Sequence, residues 1–271
     1  GMVWRIDATI VDGTLYVHPV LANATDATIP VYWWSNTAVP LSDRSRVIVP
    51  AADAYHYGYT RNLDLVTVPA DPAFDGGADI TYPALLEGAA DHFFRTTDTE
   101  RPWICAVDEE GTGFGQASTA ALPGRKLFRW GVGPGGRRWQ EWLSPAGGPG
   151  YLEVQAGLGW TQLEHLPLAA GERWEWTEAY GAVVVARAHG DWPTAVASAR
   201  AAIDDMAAAL ADVDALFQDI RDTETLAVAT ASGWGALEVV AEHLPDDPAT
   251  PFGQPQRPQQ PLVRLVREGG F

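Results

Sequence analysis

The sequence contains little cysteine, little positive charge and no long apolar run. Cys105 is the only cysteine among 271 residues, so a disulfide within the chain is impossible and a reducing, cytoplasmic location is expected. Lys and Arg number 18 against 35 Asp and Glu, a formal net charge of −17, which argues against nucleic acid or an anionic membrane as a partner. No apolar run approaches the roughly 20 residues that span a bilayer, so we expect no membrane span.

Signals for a bound metal are also missing from the sequence. The six histidines show no pair at ligand spacing, and there is no Asp-rich calcium loop. Cys105 lies in the apolar run 103–107 without a base nearby in the sequence, so we interpret it as a small buried strand residue. The sequence therefore predicts no metal and no other cofactor.

Tryptophan, in contrast, is abundant. The chain has 12 Trp and is 46% hydrophobic, which is ample material for a core. Short β-prone runs bounded by Gly, Pro, Asn and Asp indicate a mainly β domain over residues 3–187, and Asp12-Gly13 is typical of a type I′ hairpin turn. The runs are residues 6–10, 15–21, 47–49, 103–107 and 174–185. Residues 69–99 are polar and rich in Gly and Pro, which predicts a long loop with one helical turn and a binding surface.

Residues 188–271 have a helical pattern instead. Asp191 and Pro193 indicate a helix start, and apolar residues at spacings of three and four continue to Ile220, which predicts one amphipathic helix. The heptad spacing suits a coiled coil, but a helix lying across the sandwich or against the next helix is favoured because only one such segment occurs. We also expect a helix near Gly233, an extended Pro/Gln-rich tail over residues 245–261 and a short closing helix over residues 262–270.

The most informative segment is residues 149–165. Glu153 and Gln155 are two residues apart in an apolar, strand-like run, so their polar groups point to the same face. Gln162, Glu164 and His165 follow after two glycines. Because carboxylates are seldom buried without partners, this face is expected to carry a hydrogen-bonded network or a wet cleft.

This segment also resembles a known family. Residues 151–155, Tyr-Leu-Glu-Val-Gln, resemble the Leu-Glu-x-Gln strand of the galactose mutarotase-like (aldose 1-epimerase-like) superfamily. Other segments are similar to strands of that family in its order, namely residues 21–30, 31–38 and 168–180. More narrowly, four segments resemble an uncharacterised bacterial branch, a domain of unknown function that precedes tetratricopeptide repeats: residues 32–36, 123–131, 153–155 and 232–238. The resemblance implies the second half of a mutarotase-like β-supersandwich, followed by a C-terminal α-helical segment.

The resemblance implies a sugar site as well. Glu153 falls on the family's general base, which would act at a sugar anomeric centre as in an epimerase or a glycosidase. When the family's Asn is placed on Asn36, its catalytic histidine falls on Tyr32, and a tyrosine with a pKa of about 10 is a poor proton donor at neutral pH. His56 is the best substitute acid by position in a Tyr-rich loop, although a lone histidine among aromatics is more often a packed ring.

The remaining candidates are aromatic and polar residues that suit a sugar. Trp33 and Trp34 are adjacent, so one is expected in the core and the other as a stacking platform for a sugar ring. The polar candidates offer the donors and acceptors that hydroxyl groups need: Asn36, Gln155, Gln162, Glu164 and His165. The last three suit a solvated or turn-capping loop equally well.

The only concentration of basic residues surrounds the turn at residues 133–136 and consists of Lys126, Arg129, Arg137 and Arg138. An anion or an acidic sugar could bind there. We favour the alternative of a solvated hairpin face whose charge is balanced by nearby carboxylates.

Three hypotheses for the function remain open from the sequence. The first is carbohydrate recognition or processing with Glu153 as base, the second is a non-catalytic carbohydrate-binding domain, and the third is a structural domain of a longer repeat-containing protein. Loss of the family histidine favours binding, whereas the Glu-x-Gln pair favours catalysis. A mono- or oligosaccharide is the expected partner, and uncovered sheet edges predict a homo-oligomer.

Overall fold

Two antiparallel β-sheets and a set of C-terminal helices make up the part of the chain that the computed structural model describes, namely residues 2–59, 62–221, 223, 233–241 and 254–269. The strands are β1 (Met2–Val11), β2 (Thr14–Asn23), β3 (Ile29–Val31), β4 (Trp34–Pro40), β5 (Arg46–Ile48), β6 (Ala51–Tyr57), β7 (Asp64–Thr67), β8 (Ala90–Thr96), β9 (Trp103–Val107), β10 (Thr112–Ser118), β11 (Gly124–Arg129), β12 (Tyr151–Gly157), β13 (Leu166–Leu168), β14 (Arg173–Glu175) and β15 (Glu178–Val184). The helices are α1 (Pro134–Leu143), α2 (Trp192–Met206), α3 (Leu210–Ile220), α4 (Gly233–Val240) and α5 (Gln260–Glu268).

The two sheets pack face to face as a sandwich. One has seven strands in the order β1-β2-β15-β10-β9-β5 with β14 beside β2, and the other has six in the order β4-β12-β11-β8-β6-β7. Between them lies a core of aliphatic side chains, including Val47, Ile104, Leu127, Leu152 and Val154, all fully buried. The prediction of a mainly β sandwich with C-terminal helices is therefore confirmed.

The β1–β2 hairpin shows how the turn residues fix the register. Asp12 and Gly13 both have positive φ, 50° and 80°, as a type I′ turn requires. Val11 then pairs directly with Thr14, and the ladder continues to Met2 and Asn23. The predicted hairpin is confirmed.

Helices α2 and α3 cover the outer face of the seven-stranded sheet. Alternation along β9 directs Ile104 to the other sheet and Cys105 to the helices, where it packs near Ala199 and Ile203. Cys105 is fully buried and burial raises the pKa of its thiol, which agrees with the interpretation as a packed strand residue. The stripe of apolar residues thus lies across the sandwich, as favoured from the sequence.

The prediction of one continuous helix to Ile220 is wrong. The Thr14 hydroxyl donates to the Met206 carbonyl at 2.9 Å, and the Leu210 amide instead donates to the Ala207 carbonyl at 3.0 Å. A turn over residues 207–209 therefore separates α2 from α3. The start is as predicted, since Asp191 Oδ1 accepts from the Thr194 amide at 2.9 Å and caps α2.

Three further segments differ from expectation. The predicted loop over residues 69–99 holds two 3₁₀ turns and also β8, an interior strand of the six-stranded sheet. The predicted hairpin turn at residues 133–136 is the start of α1, with Pro134 in its first turn. The run over residues 174–185 is divided into β14 and β15.

The C-terminal predictions are partly testable. The helix near Gly233 is α4 and the closing helix is α5, so both are confirmed. The extended tail is wrong at its end, because Arg257–Gln259 is a 3₁₀ turn and α5 begins at Gln260. Residue 232 and residues 245–253 lie outside the described residues.

The division of the chain into domains at residues 187 and 188 stays a prediction. No helix in the described ranges combines the length and apolarity needed to cross a membrane.

Candidate functional site

The outer face of the six-stranded sheet, which points away from the seven-stranded sheet, carries the polar residues singled out in β12. Leu152 and Val154 point into the core, so Glu153 and Gln155 point outward. The strand register places Gln155 opposite Asn36 on one side and Lys126 on the other. The predicted common face of Glu153 and Gln155 is therefore present.

Hydrogen bonds and one ion pair, between Lys126 and Asp91, connect the side chains of what we call the polar network: Asn36, Glu153, Gln155, Gln162, Lys126, Asp91 and Tyr59. Asn36 Nδ2 and Gln155 Nε2 donate to Glu153 Oε2 at 2.7 and 2.9 Å. Gln162 Nε2 donates to Gln155 Oε1 at 2.8 Å. The network thus joins two candidates, Asn36 from β4 and Gln162 from the loop, to the Glu-x-Gln pair.

Lys126 is the centre of the polar network. Its Nζ lies 2.7 Å from Asp91 Oδ1 and donates to Gln162 Oε1 at 2.6 Å. The ammonium group also lies over the rings of Phe93 and Phe128, at 5.3 and 5.8 Å from their centroids. Burial lowers the pKa of Lys126, while the charge of Asp91 opposes that shift.

Lys126 and Arg129 lie on β11 and are only 4% and 3% exposed. The expected solvated basic hairpin face is therefore wrong for these two residues. They are paired instead, Lys126 with Asp91 on the outer face and Arg129 with Asp75 at 3.4 Å. A buried cation is stable only with such partners.

Glu153 itself is half-buried at the edge of the polar network. Both of its hydrogen bonds end on Oε2, and within the described residues Oε1 accepts none. The two amide donors fix the orientation of the carboxylate, while its second oxygen stays available. This geometry suits acceptance of a hydroxyl proton from a ligand.

The tyrosines near the network are weak acids. Tyr59 OH donates to Asp91 Oδ2 at 3.3 Å, and partial burial, together with the charges of Asp91 and Glu153, raises the pKa of Tyr59. Burial and the charge of Asp91 also raise the pKa of Tyr32, the residue in the position of the family histidine. Both phenols therefore stay protonated at neutral pH and release a proton reluctantly.

Trp33 and Trp34 lie on different sides, as their adjacency predicts. Trp33 packs edge-on against Trp176 in a small core cluster, with ring centroids 5.3 Å apart. Trp34 lies on the outer face above Gly157, where a Cβ would come within 2.2 Å of its ring. Its edge meets Phe93 at 5.8 Å between centroids. Trp34 is thus the one of the two that borders the polar network.

His56 is not brought to Glu153. It pairs with His92 across β6 and β8, on the side of the sheet that faces the core, whereas its neighbour Tyr55 is on the outer face. His56 Nδ1 lies 3.2 Å from His92 Nε2, and its ring packs 4.4 Å from that of Phe74. Burial, together with the charge of Arg129, lowers the pKa of His56. The interpretation as a packed ring describes its position.

The loop after β12 divides its candidates. Gln162 joins the polar network, but Glu164 accepts from the backbone amide of Trp160 at 2.7 Å and caps the turn. His165 is exposed, and its ring lies 5.6 Å from that of Tyr32. Neither Glu164 nor His165 makes a hydrogen bond to Glu153 within the described residues.

A second polar cluster, centred on the carboxylate of Glu178, lies between the sheets. Glu178 is fully buried and accepts hydrogen bonds from four side chains at 2.5–3.1 Å: Ser35, Gln116, Trp176 and Tyr180. Each partner is supplied by the fold, so this carboxylate is a satisfied structural group. Within the described ranges, no group of three or more His, Cys, Asp or Glu could hold a metal ion.

The outer face opens into a cleft at each end of β8. One, of about 790 Å³, is lined by Asp53, Tyr55, Arg95, Trp160 and Leu163, among others. The other, of about 760 Å³, is lined by Tyr59, Glu87, Phe128, Trp130 and Trp139, among others. The polar network lies on the strands between them.

Sequence reasoning missed Asp91 and Tyr59, and it interpreted Lys126 as part of a solvated basic face and not as a residue of this site. They lie on or beside three different strands, and only the pairing of β11 with β8 brings Lys126 to Asp91. The alternation Lys126, Phe128, Trp130 was an available signal for one shared face of β11.

Comparison with known structures shows a fold of the same kind. A TPR-domain containing protein from Parabacteroides distasonis ATCC 8503 is 24% identical with a TM-score of 0.55, and the match covers 67% of this chain and 30% of that chain. A putative aldose 1-epimerase from Escherichia coli K12 is 13% identical with a TM-score of 0.48, over 66% of this chain and 60% of that one. A galactose mutarotase-like protein from Clostridium acetobutylicum is 10% identical with a TM-score of 0.42, over 67% and 62%.

The chain therefore spans less than two thirds of the length of each of these structures. A search of curated proteins gives no match. The sequence profile of the domain of unknown function DUF5107 matches residues 1–170, which confirms the branch expected from the motifs. The chain belongs to the DUF5107 family.

Proposed function

We propose that the outer face of the six-stranded sheet binds a carbohydrate. The observation that carries this proposal is the polar network itself, a connected row of amides, carboxylates and one ammonium group on an aromatic floor. Amide side chains both donate and accept hydrogen bonds, as sugar hydroxyls do. The adjacent rings of Trp34 and Phe93 offer surfaces for the C–H faces of a sugar.

The charge of the network suits a neutral ligand. Lys126 and Asp91 neutralise each other at 2.7 Å, and Glu153 is held by two uncharged amides. An anionic ligand would meet Glu153 without a free cation among the described network residues. A polyol avoids this repulsion and uses the carboxylate as an acceptor. The resemblance of residues 151–155 to a sugar-binding strand points the same way.

The proposal is tested by titration calorimetry with a panel of neutral hexoses and pentoses and with short oligosaccharides. Saturable binding to the wild type is expected. Asn36→Ala and Glu153→Gln should each reduce affinity about tenfold. Glu153→Gln weakens the acceptor for a sugar hydroxyl, and Asn36→Ala removes a hydrogen bond that orients the Glu153 carboxylate. Glu110→Gln, an exposed carboxylate on another loop, is the matched control and should bind as the wild type does.

Absence of heat across the whole panel would contradict the proposal. Unchanged affinity in both Asn36→Ala and Glu153→Gln would place any sugar elsewhere on the protein. Thermal melts of the same variants show whether a loss of binding reflects unfolding.

A second candidate function is acid–base chemistry at the anomeric carbon with Glu153 as base. The available Oε1 atom favours it, because a general base must reach its proton at roughly 2.6–3.2 Å. The acid is the weak point, since the pKa values of Tyr32 and Tyr59 are both raised. We therefore expect this chain to leave the rate of glucose and galactose anomer exchange unchanged. Acceleration that is abolished by Glu153→Gln would instead establish the catalytic function.

A further inference from the structure

Five aromatic rings form a row that begins at the polar network and leads away from it. We call this row the aromatic track, and it consists of Tyr59, Phe128, Trp130, Trp139 and Trp142. Consecutive ring centroids are 6.4, 4.7, 6.2 and 5.4 Å apart. The track follows the outer face of β11 and continues onto α1.

The track is exposed on one side. Tyr59 is 58% exposed, Trp139 50% and Trp142 73%, whereas Phe128 is buried and Trp130 half-buried. Four of the five rings line the cleft of about 760 Å³ described above. Large exposed rings in a row are unusual on a protein surface and indicate a contact surface.

The position of the outer rings is fixed by α1. The buried Gln140 accepts from the Tyr151 amide at 3.0 Å, which ties the helix to the first residue of β12. Gly136 lets α1 pack closely against the residues that follow the C-terminal end of β11, because a Cβ at position 136 would lie 2.2 Å from the Gly131 carbonyl oxygen. Trp139 is thereby held at an interplanar angle of 19° to Trp130. The track is preorganised, so ligand binding needs little ordering of side chains.

We propose that the aromatic track binds the further units of a neutral oligosaccharide whose first unit lies on the polar network. This inference rests on the proposed carbohydrate function and adds that the ligand is a chain and not a monosaccharide. Sugar units would stack on the exposed rings of the track, Tyr59, Trp139 and Trp142, while their hydroxyls remain hydrated or contact the backbone of the glycine-rich segment 133–136.

Continuity with the polar network favours a glycan as the occupant. The Tyr59 hydroxyl donates to Asp91, and the Lys126 ammonium group lies 5.8 Å from the Phe128 ring centroid, so one ligand can contact both regions. The exposed surface of the track consists of aromatic ring faces and edges, with Glu87 and the backbone of several glycines beside them. Glu87 in the cleft and the net charge of −17 disfavour an anionic polymer. Arg138 beside Trp139 and Trp142 is a cation at the outer end of the track that can donate to sugar hydroxyls.

The test measures affinity against chain length for the wild type, two track variants, one control variant and the two network variants Glu153→Gln and Asn36→Ala. Calorimetry uses glucose, xylose and N-acetylglucosamine and the linear oligosaccharides of each from two to six units. Trp139→Ala and Trp142→Ala remove track rings, and Trp234→Ala, 55% exposed on α4, is the matched control. In at least one series, wild-type affinity should rise about tenfold or more from one unit to four. Both track variants should lower oligosaccharide affinity about tenfold and leave monosaccharide affinity unchanged.

The outcomes separate this inference from the proposed function. Affinity that does not change with chain length, but falls in Glu153→Gln, overturns the aromatic track and leaves the sugar site standing. Length-dependent binding that is lost in the track variants and unaffected by Glu153→Gln or Asn36→Ala supports the track and contradicts the polar network. No binding to any sugar contradicts both. Dimerisation of the wild type that Trp142→Ala abolishes, measured by light scattering, would show instead that the track is an interface between two copies.

Discussion

Replacing Lys126 by Met tests whether the polar network is held together by a buried charge pair. The Lys126 and Asp91 side chains are 5% and 8% exposed, and their charged atoms are 2.7 Å apart. Removing one member of a buried ion pair costs about 3–5 kcal/mol, because the other charge is left without its partner. The Tyr59 hydroxyl still donates to Asp91 at 3.3 Å. We therefore expect the lower end, a loss of about 3 kcal/mol in the free energy of unfolding.

The assay is urea unfolding followed by tryptophan fluorescence and circular dichroism. Arg95→Met is the matched control, because Arg95 pairs with Asp53 at 3.1 Å on the same sheet but is 48% exposed. An exposed pair contributes at most about 1 kcal/mol. The double variant Lys126→Met with Asp91→Asn removes the orphaned charge and should be more stable than Lys126→Met alone. Equal losses of less than about 1 kcal/mol in Lys126→Met and Arg95→Met would refute the reasoning.

Three other properties can be predicted from the described contacts. Burial lowers the pKa of His18, His56 and His92, so the folded state favours their neutral forms. The free energy of unfolding should therefore be highest above a pH of about 6.5 and should fall below it, by up to about 1.4 kcal/mol per pH unit for each histidine. Urea midpoints that stay constant from pH 8 to about 5.5 would contradict this. Arg125 is fully buried and donates to three carbonyls and the Ser118 hydroxyl at 2.6–2.8 Å, so Arg125→Lys should lower stability by about 2–3 kcal/mol in thermal melts, and a smaller loss than about 0.5 kcal/mol would be unexpected. Among the described strands, β1 pairs only with β2, and it exposes Trp4, Ile6 and Ile10. We therefore expect concentration-dependent association that Ile6→Lys abolishes in light scattering, and a monodisperse wild-type monomer at micromolar concentration would argue against it.

Local patterns predicted those parts of the fold that local physics determines. The type I′ turn at Asp12-Gly13 follows from the need for two positive φ angles, and the common face of Glu153 and Gln155 follows from the two-residue period of a strand. The buried strand at Cys105 follows from its apolar neighbours. None of these depends on which strands become neighbours.

Features that depend on strand pairing were not accessible to the same reasoning. Tyr55 and His56 alternate on β6, but the sequence does not show which of the two faces the core, so it cannot choose between His56 as an acid and His56 as a packed ring. The sequence favours a solvated Lys126 because its partner Asp91 is 35 positions away, in a segment whose pattern predicts a loop and not a neighbouring strand. The turn over residues 207–209 lies in a run of alanines, and the Met206 carbonyl before it accepts a hydrogen bond from Thr14 on a distant strand, a contact that the local sequence does not show.

The central placement of the site strands has a consequence for hydrogen exchange. β12 is paired with both β4 and β11, and β11 with both β12 and β8, so their amides donate to one neighbour or the other and an interior ladder must open before they exchange. The backbone under Glu153, Gln155 and Lys126 should therefore be among the slowest-exchanging parts of the protein with or without a ligand. A bound sugar should instead slow hydrogen exchange in the loop around Gln162 and in α1, because these elements at the edge of the site have fewer neighbours and open more easily.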